Sequence, residues 1–235
     1  KPFNAARIET SDFMSSSPVN LLRRRSILNG AGAALLLCGA LFWWSGADER
    51  REKRIQSARA TLSRAGDTGE GTPRRRALNF LVRTKQSLAG VDLTSWDLRK
   101  MDFSGMELKG AIFSEASLDF ANLQTSDLRD AQFDYANLIG ANLVRANLEG
   151  SEIFHADLNL ADFTEANLRN VRFEKVDLAE VKFAGAHLEG ATFTDAENLE
   201  VRLVKGAVWD ETTQWPPGFE KKLGAAGLSR EKPSP

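Results

Sequence analysis

The chain has 235 residues, with 31 Lys and Arg against 32 Asp and Glu, one Cys and two His. A lone Cys38 excludes a disulfide framework and a cysteine-cluster metal site, and His155 and His187 leave little for a histidine-based one. The near-neutral total hides a split: residues 1–87 carry 16 basic against 7 acidic side chains, residues 88–195 carry 9 against 19, and residues 196–235 carry 6 against 6.

Residues 1–25 read as a basic, disordered arm ending in Arg23-Arg24-Arg25. Residues 26–47, SILNGAGAALLLCGALFWWSGA, hold no charge. As a helix they would span about 33 Å at ~1.5 Å per residue, against a hydrocarbon core of about 30 Å. The three arginines at one end and Trp43-Trp44 at the other suit the two interfaces, so the segment reads as one transmembrane helix. Within it Gly30, Ala34 and Cys38 recur at i, i+4, i+8, a small-residue face on which another helix, a pigment or a lipid could pack. Arg24-Arg25-Ser26-Ile27-Leu28 also resembles a twin-arginine export signal, with Ser45-Gly46-Ala47 as a cleavage site. Of the two readings the retained anchor is favoured. The export likeness puts the C-terminal part on the trans side, whereas basic residues on both flanks leave charge counting undecided.

Residues 48–87 read as a helical connector and a cap. Ile55, Ala58, Leu62 and Ala65 share one helical face, and GDTGEG (66–71) is a flexible break. Thr72-Pro73 then supplies an N-cap and a first-turn proline. In the helix they open, Ala77, Leu78, Leu81 and Val82 form an apolar stripe that must be buried.

From Leu88 to Phe193 a large apolar residue stands at every fifth position, 22 centres comprising 14 Leu, 7 Phe and Ile153. A period of five matches neither a helix nor a strand, but it suits a solenoid whose wall turns a corner every five residues. All the Phe centres fall in alternate pentapeptides and the other alternate set is Leu throughout. Stacking like on like therefore needs an even number of walls, and four satisfy it. This A(D/N)LXX pattern, as in ANLIGANLVRANLEG (136–150), resembles the pentapeptide-repeat family. The resemblance implies an all-β solenoid, a right-handed quadrilateral β-helix with four pentapeptides per coil, over residues 88–195. In the opening coil the usual Ala two before the centre gives way to Val91, Trp96, Met101 and Met106. These place Trp96 and the methionines against the Leu78/Leu81 stripe, closing the open end of the core. Residues 196–235 lose the phase and read as a C-terminal cap and tail. Within them AVWDETTQWPPGF (207–219) is similar to the closing segment of many cyanobacterial and plastid members.

Function must lie on the outside of such a rod. Asp92, Asp97, Asp102, Asp127, Asp157, Asp162 and Asp177, with Asn122, Asn137, Asn142, Asn147 and Asn167, precede their centres and are expected to cap turns. Phe120, Tyr135, Ile139, Phe154 and Leu160 stand where polar residues belong. With His155 they are expected to make a contiguous apolar patch on two adjoining walls, a partner-binding surface. Nothing resembles a nucleophile set, a phosphate loop or a metal cluster, so no catalytic residue, metal or cofactor is assigned and an enzyme is not expected. Resemblance to cyanobacterial and plastid members implies a single-pass protein of a thylakoid or bacterial inner membrane. It would serve as a non-catalytic accessory or assembly subunit of a photosynthetic or respiratory complex, its partners the membrane and other subunits, with pigment or lipid as further contacts and no nucleic acid. The alternative, carried by the repeat's acidity, is the role of family members that resemble DNA and bind DNA gyrase.

Overall fold

The computed structural model describes residues 31–64, 66 and 68–228. The chain divides into two compact units, Lys1–Arg54 and Ile55–Pro235. Helix α1 runs over Ala31–Leu62, and among the described residues no helix is long and apolar enough to cross a membrane. The apolar part of α1 ends at Ala47. The same helix then continues through Asp48, Glu49, Arg50 and Arg51. This overturns the single-pass reading, and with it the placement in a thylakoid or bacterial inner membrane with the repeat on the trans side. Gly30 lies outside the described residues, as do the side chains of Ala34 and Cys38.

In the second unit the repeat winds as a quadrilateral β-helix. Parallel bridges join residues 20 apart, from Asp92 with Ile112 through Asp177 with Glu197, so one coil is four pentapeptides. Most corners are turns in which the N–H of the residue two before the next centre returns to the carbonyl of the preceding one, as Val91 to Leu88 at 3.1 Å and Ala121 to Leu118 at 2.9 Å. The third residue of such a turn needs positive φ. All 22 residues at five-residue spacing from Gly90 to Asp195 have it, +52° to +72°, although only seven of them are glycine. Turns thus occupy most of each wall and the ladder has one bridged residue per pentapeptide. Among the described residues regular strands occur only at β1 (Glu152–Phe154) and β2 (Arg172–Glu174), paired in parallel.

The centres are fully buried, and the Phe columns stack as the alternation requires. Phe113 lies on Phe133 at 5.1 Å, Phe163 on Phe183 at 5.7 Å and Phe173 on Phe193 at 4.9 Å. Across the core the two Phe walls meet edge to face, as Phe173 and Phe183 do at 6.0 Å, a geometry that favours ring quadrupoles.

Both ends of the core are covered. Helix α2 (Pro73–Arg83) starts at Thr72, whose hydroxyl accepts from the Arg75 N–H. It buries Leu78 and Leu81 in one cluster with Ile55, Leu62, Trp96 and Met106. Arg75 donates to the Asp97 carbonyl and Lys85 to that of Ser104, so side chains from α2 and just beyond it satisfy part of the uppermost ladder. Arg74 sits 5.1 Å above the Trp96 ring. At the other end the register slips to 21 and 22 residues, His187 with Val208 and Thr192 with Gln214, after a 3-10 turn at Val201–Val204. Trp215 then lies flat on Phe193 at 5.0 Å, and α3 (Phe219–Ala225) buries Phe219 and Leu223 behind it.

Candidate protein-docking face

The outward side chains divide into those that serve the coil and those that do not. All twelve Asp and Asn residues that precede their centres accept a hydrogen bond from the backbone N–H two residues on. Asp92 takes that of Thr94 at 2.9 Å, Asn137 that of Ile139 at 3.0 Å and Asp157 that of Asn159 at 3.1 Å. The other nine repeat the arrangement. Where an arginine side chain adds to the backbone bond the carboxyl is held low: Asp97, hydrogen-bonded by Arg99, is lowered to about 2, and Asp127 is lowered by Arg129. Long charged side chains pair up and down the walls one coil apart, Arg145 with Glu165 at 2.6 Å, Arg169 with Glu189 at 2.7 Å and Lys182 with Asp162 at 3.1 Å.

Phe120, Tyr135 and Leu160 do none of this. They are 57%, 62% and 53% exposed, and each sits at a left-handed turn position, with φ of +56°, +57° and +61°. A non-glycine residue there costs on the order of 1–2 kcal/mol. His155, exposed and at φ +54°, stands one coil below Tyr135, and the rings stack at 4.7 Å and 1°. Phe154 is half-buried beneath the Arg172 guanidinium, 4.8 Å from the ring, while Arg172 also pairs with Glu152 at 2.9 Å. The Phe120 ring lies over Gly140, where a Cβ would stand 2.6 Å from Cε1. Half-buried Ile139 is the residue whose carbonyl the Phe120 N–H meets at 2.8 Å.

The six residues therefore occupy two adjoining walls, but as two groups. Tyr135, His155 and Phe154 gather at one end of the wall, and Phe120, Ile139 and Leu160 at the other. Between them the Asn137 amide donates to Asp119 at 2.9 Å, so a polar strip divides the apolar surface that the sequence suggests is continuous. Sequence reasoning missed three contributors: Gly140, which makes room for the Phe120 ring; Arg172, which roofs Phe154; and Asp134. The Asp134 Oδ1 is buried without a hydrogen-bond partner among the described residues, and desolvation, reinforced by Glu152, raises its pKa. The 20-residue spacing of Glu152 and Arg172 was the one available signal.

Two other places bear on chemistry. A cleft of about 870 Å³ between the end of α1 and the first coil is lined by Arg59, Arg64, Arg74 and Asp92 among others. Its Arg74 is engaged by the Leu62 and Gly66 carbonyls. Among the described residues no three His, Cys, Asp or Glu side chains gather as a metal ion requires.

The sequence matches the family described as pentapeptide repeats (8 copies) over residues 87–124 and the pentapeptide repeat region over 126–203. A pentapeptide repeat protein of the Arabidopsis thaliana thylakoid lumen is 34% identical, over 49% of this chain and 82% of that one, with a TM-score of 0.32. The chain belongs to the pentapeptide-repeat family. A second pentapeptide repeat protein, from Nostoc PCC 7120, is 33% identical over 51% of this chain and 84% of its own, TM-score 0.27. A third, from the cyanobacterium Cyanothece 51142, is 21% identical over 61% and 99%, TM-score 0.29. No curated protein matches. Pentapeptide-repeat proteins form right-handed quadrilateral β-helices, which is the class of fold this chain shares.

Proposed function

We propose that this pentapeptide-repeat protein is a non-catalytic scaffold that docks another protein on the face built by Phe120, Tyr135, Ile139, Phe154, His155 and Leu160. The observation that carries the reading is exposure. Three large apolar side chains project into water from turn positions that are filled by Gly or polar residues elsewhere in the repeat. Exposed apolar area that the fold does not require points to a partner. Chemistry has no seat in a filled core, and the capping acids are held by backbone and arginine rather than poised as acid–base pairs.

The test replaces Phe120, Tyr135, Phe154 and Leu160 with Ser and compares the proteins cross-linked to each form in the source cell. The expected result is loss of the major cross-linked species with an unchanged far-ultraviolet circular dichroism spectrum. An unchanged cross-linking pattern overturns the reading. The repeat's excess of 19 acidic over 9 basic side chains supports a second reading, an acidic binder of a gyrase-type enzyme. Inhibition of DNA supercoiling by the wild type and by the Ser variant alike would favour it.

A further inference from the structure

The docking face has a charge as well as a shape. Residues 112–120, 132–140 and 152–160 are the portions of three successive coils that carry all six face residues. Together they hold Glu115, Asp119, Asp134, Glu152 and Asp157 and not one Lys or Arg. Lys100 and Lys175 stand in the columns of Phe120 and Tyr135 only one coil outside this zone. Four of the five acids have partners: Glu115 accepts from the Ser95 hydroxyl, Asp119 from Asn137, Glu152 from Arg172 and Asp157 from the Asn159 N–H. Asp134, next to Tyr135, keeps a buried oxygen with none among the described residues.

The protein itself shows what such a surface takes. At the lower margin of the face Arg172 reaches up from the next coil, lays its guanidinium over Phe154 and bonds Glu152. One coil higher the same ingredients recur, an aromatic platform of Tyr135 on His155 beside the Asp134 carboxylate; among the described residues no donor reaches the Asp134 Oδ1, and the His155 imidazole, when protonated, is the cation that acts on it through space. A planar cation satisfies both requirements at once, because it stacks on the ring face and donates to the carboxylate.

Resting on the docking role proposed above, we infer that the partner segment received by this face is basic and apolar: Arg or Lys side chains directed to Asp134 and its acidic neighbours, flanked by apolar side chains for the Phe120 and Leu160 end. Complementary charge of this kind selects the partner and its register more than it adds raw affinity.

The experiment pans a displayed library of random 12-residue peptides on the full chain. Each binder is then tested against two variants, Phe120→Ser/Tyr135→Ser and Glu115→Gln/Asp134→Asn/Asp157→Asn, both checked by circular dichroism. The expected binders are lost on the first variant, are rich in Arg or Lys beside apolar residues, and bind the second at least tenfold more weakly. Raising the salt concentration weakens them further, as exposed charge pairs require. Binders that need Phe120 and Tyr135 but are neutral or acidic, or that ignore the second variant, overturn the inference and leave the docking role standing. A wild type that self-associates through the face, with dimers lost in the first variant, assigns it to a second copy and overturns the inference as well. Absence of any binder that depends on Phe120 and Tyr135 sinks both.

Discussion

The inside and the outside of this β-helix are written in the same five-residue units, yet they behave as two different sequences. Inward, the centre is always Leu, Phe or Ile and its corner neighbour is small or apolar, because each side chain has another core side chain 20 residues away pressing on it. Outward, the left-handed turn position changes from Gly to Ser, Lys, Glu, Phe, Tyr, His or Leu with no stacking rule. The contrast teaches that interior identity is imposed by packing, whereas an outward residue that no rule demands reports on something beyond the fold.

The largest effect expected on that contrast is in the core. Phe133→Ala removes a ring stacked on Phe113 in a fully buried column. It should cost about 3–5 kcal/mol, read as a lowered urea midpoint, and a loss under about 1 kcal/mol would mean the columns are not tightly packed. Asn147→Ala comes next. Its side chain accepts both the Glu149 N–H and the Asn167 amide, and leaving those donors without it should cost about 1–2 kcal/mol in the same assay. Gly140→Ala tests the boundary between inside and outside. At φ +63°, with a Cβ against the Phe120 ring, it should cost about 1 kcal/mol, displace that ring and weaken docking.

Acid should act on the capping carboxyls. Asp97 lies at about 2 in the folded protein against 3.8 in a free side chain. Its contribution is therefore complete above pH ~4 and lost as pH falls toward 2. Because the group is exposed, solvent screening limits it to about 0.5 kcal/mol. A thermal midpoint that falls between pH 4 and 2 in the wild type, and falls less in Asp97→Asn, would bear this out. The smallest effect has the opposite sign. Leu160→Gly relieves a left-handed non-glycine residue at a cost in unfolded-state entropy, for a net gain of about 0.5 kcal/mol, while it weakens docking. A loss of stability instead would show that Leu160 serves the coil.

The interior was legible because it is periodic. Phase alone places the centres, the Phe/Leu alternation counts the walls, and the twelve capping acids and amides follow from their place beside each centre. The docking face was legible only as a set of misplaced apolar residues. What divides and tunes it depends on neighbours one coil away. The Asn137–Asp119 bond splits it, Gly140 seats the Phe120 ring, and Asp134 loses its water to the surrounding walls, none of which a one-dimensional pattern expresses. The N-terminal apolar run misled for a related reason. Hydropathy counts a stretch of residues, whereas α1 ignores that boundary and carries on into a charged half.

The fixed 20-residue bridge interval also makes length a discrete variable. Excision of residues 142–161 or any other whole coil in mid-rod would leave the Phe-bearing columns and the all-Leu columns in register. A ten-residue loss between Tyr135 and His155 would keep Phe-bearing columns in line too, but would turn everything downstream by half a revolution and separate those two rings. A five-residue loss would set Phe-bearing columns on all-Leu ones across the junction. Insertions and deletions in this chain are thus graded by arithmetic: multiples of twenty lengthen or shorten the rod, tens rotate its surface message, and fives misalign its core at the join.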